Sequence, residues 1–353
     1  MFDQYKVEPI WQNKEMVGFD IGTKYIKVVQ LKKSKKLTKL VGYGQYQVPD
    51  NYIIEGIITE PEKLAKELKT FLKSGVWGEI NAERVVTSLP ESKIFTRSIS
   101  LPKMPESELA QAVNWEASQT IPMALSDLYL DFQVIGPSEG DPKNDDIIYA
   151  AAPKAIVNSY IQLFNELDME LANIETSLAA IARAMIPTKE SDAVTMVIDI
   201  GGVTTNLAVF DHVIRVTGST LVGAISLDEK IKLAVGKSTT DLESKNKIDE
   251  KIKAQIREAI DYEVTEITRE ASRMVSYYSE RGGDKKVTKV LICGGGANIP
   301  SLTDIIEEKL TIKTVIGNPW ENISIYPIKP IPKNEASAYT NAVGLALLGD
   351  IND

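Results

Sequence analysis

The sequence predicts an α/β chain in which one fold is used twice around a common cleft. Three segments carry that expectation: Val17-Gly18-Phe19-Asp20-Ile21-Gly22-Thr23-Lys24, Met196-Val197-Ile198-Asp199-Ile200-Gly201-Gly202-Val203-Thr204-Thr205, and Val290-Leu291-Ile292-Cys293-Gly294-Gly295-Gly296-Ala297-Asn298. Each is an apolar, β-branched run that breaks at glycine. The first two share Asp-Ile-Gly at the break. Alternation of apolar and polar residues resumes after it, in Ile26 to Val29 and in Asn206 to Phe210. That pattern is a β-hairpin rather than a strand-turn-helix.

The residue types in these turns suit a polyphosphate. Glycine turns tightly and lets backbone N–H groups approach a phosphate without an intervening Cβ. Thr23, Thr204 and Thr205 add hydroxyl donors, and Lys24 and Lys27 add positive charge. Asp20 and Asp199 offer the hard oxygens that Mg2+ prefers, usually through its waters. One such hairpin is a common turn, with its Asp capping the backbone. Two of them followed by a Gly-Gly-Gly strand end form a far more specific pattern.

The elements follow in order. Residues 16–31 and 37–48 predict a β-meander around the first turn. Pro61 to Leu72 has apolar spacings of three and four, giving an amphipathic helix with Pro at its start. Arg84 to Thr87 returns as a strand. Residues 92–152 predict an inserted α+β unit: a strand from Lys93 to Leu101, a helix opened by Pro105 and carrying Leu109 and Val113, and strands near 128–135 and 146–152 around a turn-rich loop. Helices are expected at 154–167, 176–186 and 302–310. The long helix at 251–281 is marked by Ile252, Ile256, Ile260, Val264, Ile267, Ala271, Met274 and Tyr278. Residues 319–333, with four prolines, are expected to be extended and irregular.

Composition narrows the classes. A length of 353 residues fits two domains, and 43% hydrophobic with 25% charged residues is ordinary for a globular chain. A net charge of -9 argues against a general nucleic-acid binder. Lys32, Lys33, Lys35, Lys36 and Lys39 form a local basic patch, read as a solvated hairpin tip. One cysteine, Cys293, excludes an internal disulfide, and one histidine, His212, excludes a multi-histidine metal site. No apolar run reaches 18 residues and the N-terminus lacks a signal-peptide core, so a cytoplasmic location is expected. Phe2, Tyr5 and Trp11 ahead of the first strand are read as a tail packed on the body.

The three glycine segments resemble the phosphate-1, phosphate-2 and adenosine motifs of the actin/Hsp70/hexokinase ATPase superfamily. The stretch from Leu89-Pro90 through Arg97 and Leu101-Pro102 to Pro105, then Asn114-Trp115-Glu116, Gln119, Ile121-Pro122 and Leu130 to Val134, resembles the type IV pilus assembly protein PilM family. So does the ending Asn341 to Leu347. The resemblance spans nearly the whole chain. It implies an actin-like (ribonuclease H-like) α/β fold with duplicated domains. The first would comprise 1–91 and 153–190 with the insert 92–152; the second would comprise 191–353, with a subdomain near 222–285.

The resemblance implies ATP and Mg2+ as ligands. Asp20, Gly22, Thr23, Lys24, Lys27, Asp199, Gly201, Gly202, Val203, Thr204, Thr205, Gly294, Gly295, Gly296 and Asn298 would hold the nucleotide, and Asp20 and Asp199 the metal. Glu243, Lys245 and Lys247 lie where the superfamily places adenine contacts, although their spacing departs from Ala-Glu-x-x-Lys; a solvated charged helix is the other reading. Glu175, in the hinge stretch Asn173 to Thr176, would orient an attacking water or cap the next helix. Hydrolysis is expected to be slow or absent. The implied function is a scaffold peripheral to the inner membrane that binds the cytoplasmic N-terminal segment of PilN and contacts the pilus motor. The PilN groove is expected between the first domain and the insert, walled by Phe95, Arg97, Leu101 and Trp115. Membrane contact would come only through partners, and a homo-oligomer is compatible. An FtsA-like division protein and a small-molecule kinase are the alternatives. The first lacks a C-terminal amphipathic tail here, and the second lacks a substrate-facing carboxylate signature in the insert.

Overall fold

Two sheets repeat one topology in the computed structural model, which describes residues 15–34, 37–138, 141–186, 193–243, 248–281 and 285–348. In the first, Met16–Ile21, Tyr25–Ser34 and Leu37–Gln47 form an antiparallel meander. Arg84–Leu89 pairs in parallel with Met16–Ile21, and Glu170–Thr176 extends that parallel side. In the second, Thr195–Ile200, Thr205–Asp211 and Val213–Thr220 form the meander. Lys289–Cys293 pairs in parallel with Thr195–Ile200, and Lys313–Ile316 follows. Counted from the first hairpin, each sheet runs 3-2-1-4-5. The short strands Trp77–Gly78 and Ile323–Ser324 add to Leu37–Gln47 of the first sheet.

The opening strand of each meander is central and covered on both faces. Its sequence is therefore nearly continuously apolar instead of alternating. Val17, Phe19, Val197 and Ile198 are all fully buried. Helix Pro61–Ser74 turns Leu64, Ala65, Leu68 and Phe71 inward on the first sheet. Helix Glu250–Arg281 packs its Ile256–Ile260–Val264–Ile267–Ala271–Met274–Tyr278 stripe into the second core, as the spacing predicts.

Helices Ser177–Met185 and Thr340–Leu348 pack on one another between the sheets. Ile181 and Met185 meet Val197, Leu291 and Cys293 of the second sheet. Thr340–Leu348 lies against the first strand so closely that a Cβ at Gly18 would strike the Ala342 carbonyl. Trp320, Tyr339, Val343 and Ala346 join Val29, Leu31, Leu40 and Tyr43 in one cluster. Most of the chain after 319 thus packs on the first sheet.

The insert is an antiparallel sheet of Phe95–Pro102, Asn144–Pro153 and Leu128–Pro137, with Asn144–Pro153 in the centre. Helix Glu106–Thr120 covers it through Leu109, Val113 and Ala117. Its strands run further into the turn-rich loop than the sequence predicts, to Pro137 and from Asn144. Lys93 belongs to a 3-10 turn, Glu91–Lys93, and not to the strand. The stretch read as a hinge at 173–176 is part of the strand Glu170–Thr176. Phe2, Tyr5, Trp11, Lys35 and Lys36 lie outside the described residues.

Candidate functional site

The two Asp-Ile-Gly turns close by the same bond. Gly22 N–H donates to the Tyr25 carbonyl at 3.0 Å, and Gly201 N–H donates to the Thr204 carbonyl at 2.9 Å. A Cβ on either glycine would press on that carbonyl. Thr23 and Lys24 stand exposed at the first tip, Gly202 and Val203 at the second, with Thr204 half-buried beside them. Thr205 does not reach the surface: it is buried and its hydroxyl donates to the Val222 carbonyl at 2.8 Å.

The third turn docks onto the second. Gly294 takes a φ of 86°, which favours glycine, and a Cβ there would strike Asp199 Oδ1. Gly296 N–H donates to the Ile200 carbonyl at 3.0 Å. Gly295 is exposed, with open space where its Cβ would be. Asn298 is half-buried and braces the turn, donating to the Asn334 carbonyl at 2.9 Å and to Ser337 Oγ at 3.0 Å.

Asp20 and Asp199 end the first strands of the two meanders, close enough for their charges to interact. Lys27, the cross-strand partner of Asp20, places Nζ 3.5 Å from its Oδ2. Asn341 Nδ2 donates to Asp20 Oδ1 and to Ser88 Oγ, both at 2.8 Å. Asp199 is only partly exposed. Burial, with the Asp20 charge adding, pushes its carboxyl up to about 6. Cys293 Sγ lies 3.7 Å from Asp199 Oδ1, and burial together with that carboxylate raises its thiol. Asn206 Oδ1 and Asn341 Oδ1 are buried without a hydrogen-bond partner.

This donor set fits a cation with a phosphate. One carboxyl raised by burial and by the charge of its neighbour, with unpaired amide oxygens beside the pair, calls for positive charge. Among the described residues no cluster of three or more His, Cys, Asp or Glu could hold a metal ion. A carboxylate pair matches magnesium, which keeps several of its waters.

Other predicted residues have partners or positions that their local sequence does not show. Glu175 is gripped in a bidentate pair by Arg183 at 2.7 and 2.6 Å, and Arg183 also donates to the Gly344 carbonyl at 2.7 Å. The next helix is capped by its neighbour Thr176, whose Oγ1 accepts from Ala179 N–H. Glu243 ends the short helix Thr239–Glu243. Lys245 and Lys247 lie outside the described residues.

One further carboxylate lies within electrostatic reach of Asp199. Glu91, in the turn after Arg84–Leu89, is buried with Oε2 unpartnered. Burial, with the Asp199 charge adding, pushes its carboxyl up to about 7. A glutamate flanked by Pro90 and Ser92 carries no local signal of burial. Only the tertiary structure places it.

A separate cavity of about 300 Å3 lies between the insert and the edge strand Val213–Thr220 of the second sheet. Phe95 and Arg97, two of the four residues named for the groove, line it. Leu101 and Trp115 do not: Leu101 packs into the insert core, and Trp115 is 62% exposed elsewhere on helix Glu106–Thr120.

Residues 18–349 match the family described as Type IV pilus assembly protein PilM. The chain belongs to the PilM family. The solved structure of a PilM-PilN type IV pilus biogenesis complex superposes with a TM-score of 0.78 at 23% identity, over 96% of this chain and 99% of that one. Ethanolamine utilization protein EutJ from Carboxydothermus hydrogenoformans gives 0.54 at 13% identity, over 96% and 91%. MreB5 of Spiroplasma citri bound to ADP gives 0.51 at 14%, over 96% and 97%. The fold is thus that of the actin-like ATPases, in keeping with the repeated sheet topology. Among the described residues no helix is long and apolar enough to cross a membrane.

Proposed function

We propose that this PilM-family chain is an ATP-binding scaffold of the type IV pilus inner-membrane platform that holds the cytoplasmic N-terminal segment of PilN. One observation carries the nucleotide part. Two Asp-Gly hairpins closed by the same hydrogen bond, one from each half, bring Asp20 and Asp199 within electrostatic reach beside the open Gly295. In this reading the turns at 22–24 and 201–204 bind phosphate. Lys24 and Lys27 add charge, and Asp20 and Asp199 hold Mg2+ through its waters. The Gly294–Gly296 turn borders the nucleoside. A bound Mg2+ would supply charge neutralisation for the phosphates.

Glu175 is engaged by Arg183, which supports binding without efficient hydrolysis. The reading places the protein in the cytoplasm, peripheral to the membrane through its partners. It treats 92–152 as an insert of the first domain and gives the packing after 319 to that same domain.

PilN binding beside the insert is tested by titrating a peptide copied from the first dozen residues of the cognate PilN. The parent is expected to bind it, and Arg97→Glu, which places a carboxylate in the cavity wall, to bind it at least about tenfold more weakly. A parent that ignores the peptide removes the scaffold reading.

A further inference from the structure

The cavity beside the insert has walls from three bodies. Glu91 comes from the first half, Ile94, Phe95, Arg97 and Tyr149 from the insert, and Thr217 to Ser219 from the second sheet. The last wall belongs to the strand that pairs with the nucleotide-site hairpin. Asp199 stands opposite Asn206, and Asn206 opposite Ser219, on three neighbouring strands. At about 4.8 Å per strand, the Ser219 backbone lies on the order of 10 Å from that of Asp199. Glu91, whose carboxyl feels the Asp199 charge, also lines the cavity.

The insert is also fastened to both halves. Toward the first, Tyr129 OH donates to Asn158 Oδ1 at 3.2 Å, and the Lys154 ammonium lies 5.4 Å from the Tyr129 ring centroid. Toward the second, Arg215 Nη1 lies 3.5 Å from Asp146 Oδ2, with both side chains only about a fifth exposed. Arg215 Nε also donates to the Asp211 carbonyl at 3.3 Å. The Asp211 carboxylate accepts from Tyr278 OH at 2.8 Å and from Lys285 Nζ at 3.1 Å. Asp146 is therefore linked through Arg215 and Asp211 to the long helix.

We propose that the insert reads the nucleotide state: occupancy of the Asp20–Asp199 cleft moves the second half against the first, and the Arg215–Asp146 contact carries that movement into the insert and the cavity. The proposal rests on the nucleotide reading above and adds its regulation. A nucleotide that prefers one arrangement of the halves shifts the cavity toward the matching width. A segment held beside the insert then binds nucleotide-dependently, and by linkage it changes nucleotide affinity by the same factor.

Amide hydrogen exchange on the full chain, with and without saturating Mg-AMPPNP, tests it. Exchange is expected to slow at 22–25 and 201–204. In Phe95–Pro102, on the insert, it is expected to change by about fivefold or more. Asp146→Asn is expected to keep the protection of both turns and to lose most of the response in Phe95–Pro102. Protected turns with an unchanged Phe95–Pro102 in the parent overturn the coupling alone. A full response in Asp146→Asn overturns the route through Arg215. Unprotected turns overturn the nucleotide reading and the coupling with it.

Discussion

Gly344 and Ala180 bring two helix backbones into direct contact. A Cβ at Gly344 would fall inside the van der Waals envelope of the Ala180 carbonyl oxygen. Helices Ser177–Met185 and Thr340–Leu348 can approach this closely only because position 344 has no side chain. Gly344→Ala adds about 1 kcal/mol of helix propensity. It also forces the helices apart between the two sheets, a cost of about 3 kcal/mol. The net expectation is a loss of about 2 kcal/mol in chemical denaturation. Unchanged or increased stability would mean that the two helices are not in contact.

Arg183 ties the same helices together through Glu175 and the Gly344 carbonyl. Both side chains are mostly buried, at 20% and 13% exposure, so removing one partner leaves a charge in a poor solvent. Glu175→Gln should lower stability by about 2 kcal/mol. It should leave Mg-ATP affinity within about twofold, since the carboxylate serves the helix pair. A large loss of nucleotide affinity at unchanged stability would restore Glu175 to the site.

Much of this was legible in the sequence because it is local. The period of three and four residues from Ile256 to Tyr278 fixes one face of one helix, and that stripe is buried throughout. The paired Asp-Ile-Gly breaks fix two matching hairpins. Residues whose environment is made by distant chain were not legible. Glu91 looks like an exposed turn residue, yet burial raises its carboxyl to about 7. Glu175 looks free until Arg183, eight residues on, closes over it. Thr205 follows Thr204 in the turn, but the strand it begins points its hydroxyl inward to Val222.

Adjacent glycines in the third turn should behave in opposite ways. Gly294 has a φ of 86°, and its Cβ would strike Asp199 and the Ile200 carbonyl. Gly294→Ala is therefore expected to lower stability by about 2 kcal/mol. Gly295 faces open space, so Gly295→Ala should leave apo stability within about 0.5 kcal/mol. If the nucleoside lies against that turn, the added methyl lowers nucleotide affinity. Thermal melts of both variants, with and without Mg-ATP, separate the two effects. A Gly295→Ala variant that binds nucleotide like the parent moves the ligand away from this turn.

The pH dependence follows from Asp199. Its carboxyl rises from 3.8 to about 6 in the folded protein. Between those values the folded state keeps a proton that the unfolded state has released, so stability falls as pH rises through the window. The full effect is on the order of 3 kcal/mol. Glu91, raised from 4.5 to about 7, acts in the same direction up to neutral pH. Asp199→Asn removes the first contribution, so the apo variant should exceed the parent in stability at pH 7.5 and lose that advantage by pH 4. A bound cation reverses the preference, and Mg-nucleotide should stabilise the parent more at pH 7.5 than at pH 5. A parent-minus-variant difference that does not vary with pH would show that Asp199 titrates normally.

The most direct test of the account is calorimetric titration of nucleotide-free protein with Mg-ATP, repeated on Asp20→Asn and Asp199→Asn. The parent is expected to bind one nucleotide, and a hundredfold excess over Kd should add about 2.7 kcal/mol of stability. Each variant should fold and bind Mg-ATP at least about tenfold more weakly, with most of the loss absent when EDTA replaces magnesium. No binding by the parent, or parental Mg-ATP affinity in both variants, would contradict the assignment of the paired aspartates as the magnesium-nucleotide site.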